Sequence, residues 1–239
     1  MAKIALGTWA WVAALLTLLS TSASAKTLVV YYSYTNYCRE IVTTLTSQID
    51  ADVLEIQPAE KGLKYEANGY ALGTQLLNAI KANPNDASSY PAIDPVTTSL
   101  NDYETIVIVT PLWWSQMAAP MQTYLFNYGG QMAGKHIGLI VSSASSSISG
   151  VVADCKRLVP GGKYFSENLW INHANHSRRA SLIKNWLTAV NYNSVTAINE
   201  PSIADKDVPT CYYDLNGRRL AQKPLKGIYI VNGEKRVME

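Results

Sequence analysis

The chain has 239 residues, 20 Lys and Arg against 18 Asp and Glu, and 48% apolar side chains. That length suits one full domain with a small addition, and 16% charge with so large an apolar fraction excludes global disorder. A net charge of +2, with no basic run interleaved with aromatics, leaves no footprint for nucleic acid.

The chain opens with a leader pattern. Lys3 supplies a positive start, Ile4 to Leu19 is mostly apolar, and Ala23-Ser24-Ala25 is a small-residue cleavage site. The apolar run is short for a bilayer span and is followed by Ser, Thr and Ala rather than by a basic cluster. Residues 1–25 are therefore expected to be a signal peptide, and the mature chain to be exported, periplasmic or secreted. No membrane span is expected after the leader is removed.

Thr27 to Tyr32 is a β-branched and aromatic run of strand length. Ile41, Leu45 and Ile49 recur every four residues and predict a helix beginning near Asn36. Val53 to Ile56 reads as a second strand. Leu72, Leu76, Leu77 and Ile80 form a helical stripe ended by Asn83-Pro84. After a polar connection from Asn85 to Asn101, Thr105 to Thr110 is almost wholly apolar or β-branched, as a strand covered on both faces would be. A helix over Pro120 to Tyr128, a strand over Ile137 to Val141 and a helix over Val151 to Leu158 follow. A fifth strand over Tyr164 to Ile171 and a helix over Ala180 to Val190 close the series.

Strand–helix alternation of this kind predicts an α/β domain with a parallel sheet, its right-handed crossovers placing helices on both faces. Ligands of such sheets bind beyond the carboxyl ends of the strands, where the winding reverses. Attention falls on the loops after Tyr32, Thr110 and Val141.

The first loop, Ser33-Tyr34-Thr35-Asn36-Tyr37-Cys38, places hydroxyl and amide side chains at a helix N-terminus, where N–H groups and the helix dipole attract anions. Taken alone, it fits an ordinary cap better, with Thr35 or Asn36 satisfying the first turn. The second loop, Pro111-Leu112-Trp113-Trp114-Ser115-Gln116, carries adjacent tryptophans. Neighbouring side chains face different ways, so one ring is free to meet a flat ligand. The third, Ser142 to Gly150, is small and polar and permits close backbone approach. Fifteen Tyr and six Trp against two Phe also point to rings lining a partly wet surface.

Tyr31-Tyr32-Ser33-Tyr34-Thr35, followed by Thr110-Pro111-Leu112-Trp113-Trp114, resembles the flavodoxin-like proteins of bacteria. Many of these carry S-x-T-G-N-T after the first strand and Y-P-I-W-W-G later. Val159-Pro160-Gly161-Gly162 is similar to the same subgroup, and the resemblance covers about Lys26 to Val190. It implies a doubly wound five-stranded parallel sheet of order 2-1-3-4-5 and non-covalent FMN. By the same resemblance Ser33, Tyr34, Thr35, Asn36, Tyr37 and Cys38 form the phosphate loop, with Ser33 and Thr35 on the phosphate. Pro111 and Leu112 lead into Trp113 or Trp114 stacked on the isoalloxazine, and Ser142, Ser143, Ala144, Ser145 and Ser146 border the ring. A redox partner protein or a small quinone-like acceptor would take the electrons. The family's Gly-Asn-Thr is Asn36-Tyr37-Cys38 here, which keeps open a flavin-free binding module of the same fold.

Of the three cysteines, Cys38, Cys155 and Cys211, at least one is unpaired within a monomer. Cys38 at a helix N-terminus is a position that activates thiols, although no resolving cysteine is near it in sequence. His173-Ala174-Asn175-His176 alone cannot close a zinc shell and reads as a polar loop. No nucleotide, metalloprotease or nucleophile-elbow motif occurs, and no catalytic constellation is identified.

After Val190 the pattern stops, and Asn191 to Pro209 reads as a polar linker. Residues 210–239 contain two hairpin signals, Asn216-Gly217 and Asn232-Gly233. This short β appendage resembles the C-terminal segments of secreted Bacteroidetes proteins, some of them read by the type IX secretion system.

Overall fold

The computed structural model describes residues 26–196, 212–214, 219–220, 222, 227–231 and 234–238. The leader expected over 1–25, the later linker, Cys211, Asn216-Gly217 and Asn232-Gly233 lie outside the described residues. The chain divides into two units between Ile198 and Asn199.

The first unit runs β1 (Lys26–Tyr31), α1 (Tyr37–Thr46), β2 (Asp52–Glu55), α2 (Ala67–Ala82), β3 (Tyr103–Trp113), β4 (Gln116–Met117), α3 (Ala119–Tyr128) and β5 (His136–Ser143). It continues through α4 (Ser149–Leu158), β6 (Lys163–Tyr164), β7 (Leu169–Asn172), α5 (Arg179–Ala189) and α6 (Tyr192–Thr196). The sheet order is β2-β1-β3-β5, with β6 and β7 both parallel to β5. This is the expected winding in five positions, with the last position split.

The expected fifth strand, Tyr164 to Ile171, breaks because Phe165 lays its ring against Gly138, where a Cβ would come within 3.0 Å of it. The carbonyl of Glu167, which leaves the ladder there, instead accepts the Trp186 indole N–H at 2.9 Å. A backbone acceptor taken out of one ladder has thus found another partner.

Alternation along the central strands sorts the core into two layers. Leu28, Val30, Ile106 and Ile108 face α2, α3 and α4, packing with Leu77, Met121 and Val151. Val29, Tyr31, Val107 and Val109 face α1 and α5, packing with Ile41, Leu45, Ile183 and Trp186. Helix α1 forms because Cys38, Ile41, Val42 and Leu45 recur at three- and four-residue intervals and are all buried.

The segment read as linker begins with α6. Tyr192 is buried against the second layer, and its hydroxyl shares a 2.7 Å hydrogen bond with the Thr27 hydroxyl. Among the described residues no helix is long and apolar enough to cross a membrane.

The second unit is an antiparallel sheet of β8 (Tyr212–Tyr213), β9 (Arg219–Leu220), β10 (Gly227–Val231) and β11 (Glu234–Met238), in the order β11-β10-β8-β9. The pairs Tyr213–Arg219 and Val231–Glu234 bracket the two expected hairpin turns.

Candidate functional site

Parallel register aligns the carboxyl ends of three strands. Tyr31 pairs with Val109, and Pro111 with Ser142, so the chains leaving β1, β3 and β5 emerge side by side. Between them opens a pocket of about 770 Å³, lined by Tyr34, Thr35 and Tyr37 from the first loop and by Pro111, Leu112, Trp113 and Trp114 from the second. Ser142, Ser143 and Ala144 line it from the third. Among the expected site residues, Ser33, Asn36, Cys38, Ser145 and Ser146 stand outside this lining.

The second loop is a tight hairpin. β3 outruns its predicted end at Thr110 because Leu112 pairs with Met117 and Trp113 with Gln116, leaving Trp114 and Ser115 as the two turn residues. Both have positive φ, 46° and 64°, the signature of a type I′ turn that normally selects Asn and Gly. Holding L residues there costs free energy that surrounding contacts must offset. Two glycines accomplish this. Gly73 of α2 lies flat beneath Trp114, where a Cβ would approach the indole to 2.8 Å. Gly150 of α4 admits the Ser115 carbonyl, which would lie 1.9 Å from a Cβ. The Met117 N–H also donates to the Asp154 carboxylate at 3.0 Å.

The two tryptophans divide as adjacent residues should. Trp113 is half-buried and meets Tyr32 and Tyr65 at ring separations of 5.8 and 4.7 Å. Trp114 is 47% exposed, with its indole edge-on to Tyr70 at 6.0 Å.

The first loop turns through Asn36, whose φ of 66° is the left-handed geometry that Gly and Asn tolerate. Neither Thr35 nor Asn36 caps α1. The Asn36 side-chain oxygen instead accepts from Arg39 at 2.5 Å, and the Ser33 hydroxyl accepts the Arg39 N–H at 3.3 Å. The N–H groups of Tyr37 and Cys38 meet no acceptor among the described residues. An uncapped helix start facing a pocket is a ready anion cradle.

Cys38 itself points into the second core layer and is a free thiol. Burial pushes it well above the usual thiol range, with a partial opposing effect from a hydrogen bond to Ser142. The activation expected of a thiol at a helix N-terminus is therefore overturned by desolvation. Cys155 is likewise buried and free, pushed up to about 12.

On the third loop Ser142 and Ser143 are buried, and the Ser143 hydroxyl accepts the Trp170 indole N–H at 2.8 Å. That bond pins the small-residue wall against β7. Ser145 and Ser146 lie further along the loop and are exposed.

Four lining residues escaped the sequence reading: Tyr65, Glu66, Tyr70 and His173. Tyr65 is only 4% exposed, and its hydroxyl has no hydrogen-bonding partner among the described residues. The Tyr34 hydroxyl donates to the Glu66 carboxylate and accepts the Tyr65 N–H at 3.2 Å, tying this segment to the first loop. That bond holds the Glu66 carboxyl below its ordinary range and raises the Tyr34 phenol. Asn68, Gly69 and Tyr70 run through three consecutive left-handed conformations, which bring Tyr70 over Trp114. The abundance of tyrosine was the available signal, but it carried no position.

His173, read as part of a polar loop, stacks on Tyr37 with ring centres 4.6 Å apart. His176 meets the same ring edge-on, and its Nε2 lies 3.0 Å from the Glu40 carboxylate. Among the described residues no group of three or more His, Cys, Asp or Glu is placed to hold a metal.

The flavodoxin family model matches residues 26–190. Among solved structures, a candidate flavoprotein from Bacteroides uniformis is 27% identical, covering 67% of this chain and 99% of its own, with a TM-score of 0.55. Another from Bacteroides eggerthii is 22% identical over 70% of this chain and 98% of its own, at a TM-score of 0.53. A flavoprotein from Lactobacillus acidophilus, crystallised in complex with FMN, is 21% identical over 65% of this chain and 99% of its own, at 0.52. The last two likenesses speak for the fold alone.

Proposed function

Because this chain belongs to the flavodoxin family along residues 26–190, we propose that its pocket binds FMN non-covalently and that the protein carries electrons, passing them to a redox partner protein or a small quinone-like acceptor. One observation carries this reading: the uncapped start of α1 and the exposed Trp114 line the same pocket, at the mouth of three aligned strands.

The residues present suit that cofactor. Thr35, with its hydroxyl, and Tyr37, with its open N–H at the start of α1, both line the pocket and offer donors to a phosphate. Trp114 offers an indole face whose turn is braced by Gly73 and Gly150. Ser142, Ser143 and Ala144 bring backbone close to whatever lies against that indole, because none of them has a bulky side chain.

FMN supplies the redox chemistry when bound. The chain's own part is to orient the cofactor, to keep one wall dry with Tyr65 and Trp113, and to leave Tyr70 and Trp114 at the open side. No acid or base of the chain is needed for electron transfer, which agrees with a pocket whose carboxylate, Glu66, is already engaged by Tyr34. The pattern of residues 1–25 supports export of the mature protein.

Flavin fluorescence titration tests the reading, with FMN and riboflavin run in parallel against the purified protein. Micromolar or tighter quenching of FMN and weaker binding of riboflavin is the expected result. Equal binding of the two would discard the phosphate role of the first loop. Failure of folded protein to bind either would leave a flavin-free module, the reading to which Tyr37 and Cys38 in place of the family's Asn-Thr also lends weight.

A further inference from the structure

The pocket contains no lysine or arginine among its described lining residues. A phosphate monoester carries close to two negative charges at neutral pH, and a helix terminus alone supplies only about half an elementary charge of the opposite sign. One lining side chain can become a cation, and it stands at the helix start: His173.

Its setting is specific. His173 follows β7 directly, is exposed, and lies parallel to the ring of Tyr37, the first residue of α1. Its ring nitrogens meet no hydrogen-bond partner among the described residues, whereas those around it are committed. His176 is buried and bonded to Glu40, and Arg179 lies 3.4 Å from the same carboxylate and donates to Thr44. Glu40, held below its ordinary range chiefly by the His176 bond, is thereby partnered by those two groups. Tyr37 contributes only its ring face, and on the opposite wall Glu66 is engaged by Tyr34. The loops after β3 and β5 bring no titratable side chain to the lining.

Resting on the FMN reading above, we propose that His173, stacked on Tyr37 beside the start of α1, is the cationic partner of the FMN phosphate and makes the preference for FMN over riboflavin increase as the pH falls. An imidazole can take up a proton and a positive charge, which no other lining side chain can do. Its protonated form donates a charge-assisted hydrogen bond to a phosphate oxygen. The departure of the first loop from the family's Gly-Asn-Thr is then offset by a side chain brought in from the end of β7.

The experiment measures dissociation constants of FMN and riboflavin at about pH 8 and about pH 6 for the wild type, His173→Gln and His173→Arg. For the wild type the FMN-to-riboflavin affinity ratio is expected to rise about tenfold on acidification, the scale of one hydrogen bond to a charged group. His173→Gln should lose that rise, and His173→Arg should show a high ratio at both pH values. The phosphate's own second ionisation, near pH 6, also acts between these pH values, and more strongly where residue 173 carries a charge, so the readout is each protein's ratio against that of His173→Gln at the same pH. His173 is exposed, and an unchanged far-UV spectrum will establish that each variant is folded. A ratio that is the same for wild type and His173→Gln at both pH values, with FMN still bound, overturns the role of His173 and leaves the FMN reading intact. Absence of binding by either flavin to the wild type removes both.

Discussion

The two ends of the pocket are made differently. At the aromatic end, Trp114 and Ser115 are forced into a turn their side chains disfavour, and close packing by Gly73 and Gly150 holds them there. At the end proposed for the phosphate, Thr35, Tyr37 and His173 sit on loops and a helix start, with one ring stack joining the last two. A shape-selective surface for a flat ring has to be rigid before the ligand arrives, because strain in the wall would otherwise subtract from affinity. A charge-selective site tolerates looser construction, since electrostatic attraction falls off slowly with distance.

The largest effect that would break this contrast is expected from Gly150→Ala. Its Cβ would meet the Ser115 carbonyl, a backbone atom that cannot rotate away, so either α4 or the turn must move. Overpacking of this kind costs about 3 kcal/mol of stability, measurable by chemical denaturation. FMN affinity of the folded protein should fall by about tenfold or more, because the displaced group is the turn itself. Gly129→Ala is the matched control. Its Cβ would lie 2.0 Å from the Leu158 carbonyl, a comparable clash, but neither residue lines the pocket. It should destabilise to a similar degree and leave FMN affinity unchanged. Equal loss of affinity in both variants would mean that the pocket responds to global stability and not to this brace.

The tryptophans sharpen the comparison at a smaller scale. Trp113→Ala removes a half-buried ring packed against Tyr32 and Tyr65, and should cost about 2 kcal/mol of stability. Trp114→Ala removes a half-exposed ring, together with its contact on Gly73, and should cost about 1 kcal/mol of stability. Its larger effect should appear in FMN affinity, at about 1–3 kcal/mol, the scale of stacking a flat base on an aromatic side chain. Denaturation curves paired with flavin titrations separate the two. An affinity loss carried by Trp113 alone would place the cofactor on the inner ring.

Much of the frame was legible because it depends on local pattern. The apolar runs at Thr27–Tyr32 and Thr105–Thr110 became the two central strands, covered on both faces, and the four-residue spacing of Ile41 and Leu45 became α1. The split of the fifth strand was not legible, since it depends on Phe165, Gly138 and Trp186 meeting across the fold. In the pocket, the three strand-end loops could be named from topology. Tyr65, Glu66, Tyr70 and His173 could not, because they enter it through a left-handed excursion at Asn68–Tyr70 and a ring stack across the sheet edge. The capping of α1 also defied propensity. Asn36 is a favoured cap residue, yet its side chain is diverted to Arg39 and leaves the helix start open. The exposed ring was assigned by backbone geometry that a sequence shows only as two adjacent letters.

The smallest effect tests whether the aromatic end stores strain at all. Ser115 has φ of 64°, is exposed, and its hydroxyl meets no partner among the described residues. Replacing it with Gly relieves a left-handed penalty of about 1–2 kcal/mol and gives back about 0.5–1 kcal/mol as extra entropy of the unfolded chain. A net gain of about 0.5 kcal/mol is expected, seen as a higher denaturation midpoint at unchanged slope. FMN affinity should stay the same, because the Ser115 carbonyl remains seated on Gly150 and Trp114 remains over Gly73. A gain in stability with a loss of affinity would carry a different meaning: the turn would then depend on Ser115 to keep Trp114 in place, and its rigidity would come from the strained residue and not from the two glycines beneath it.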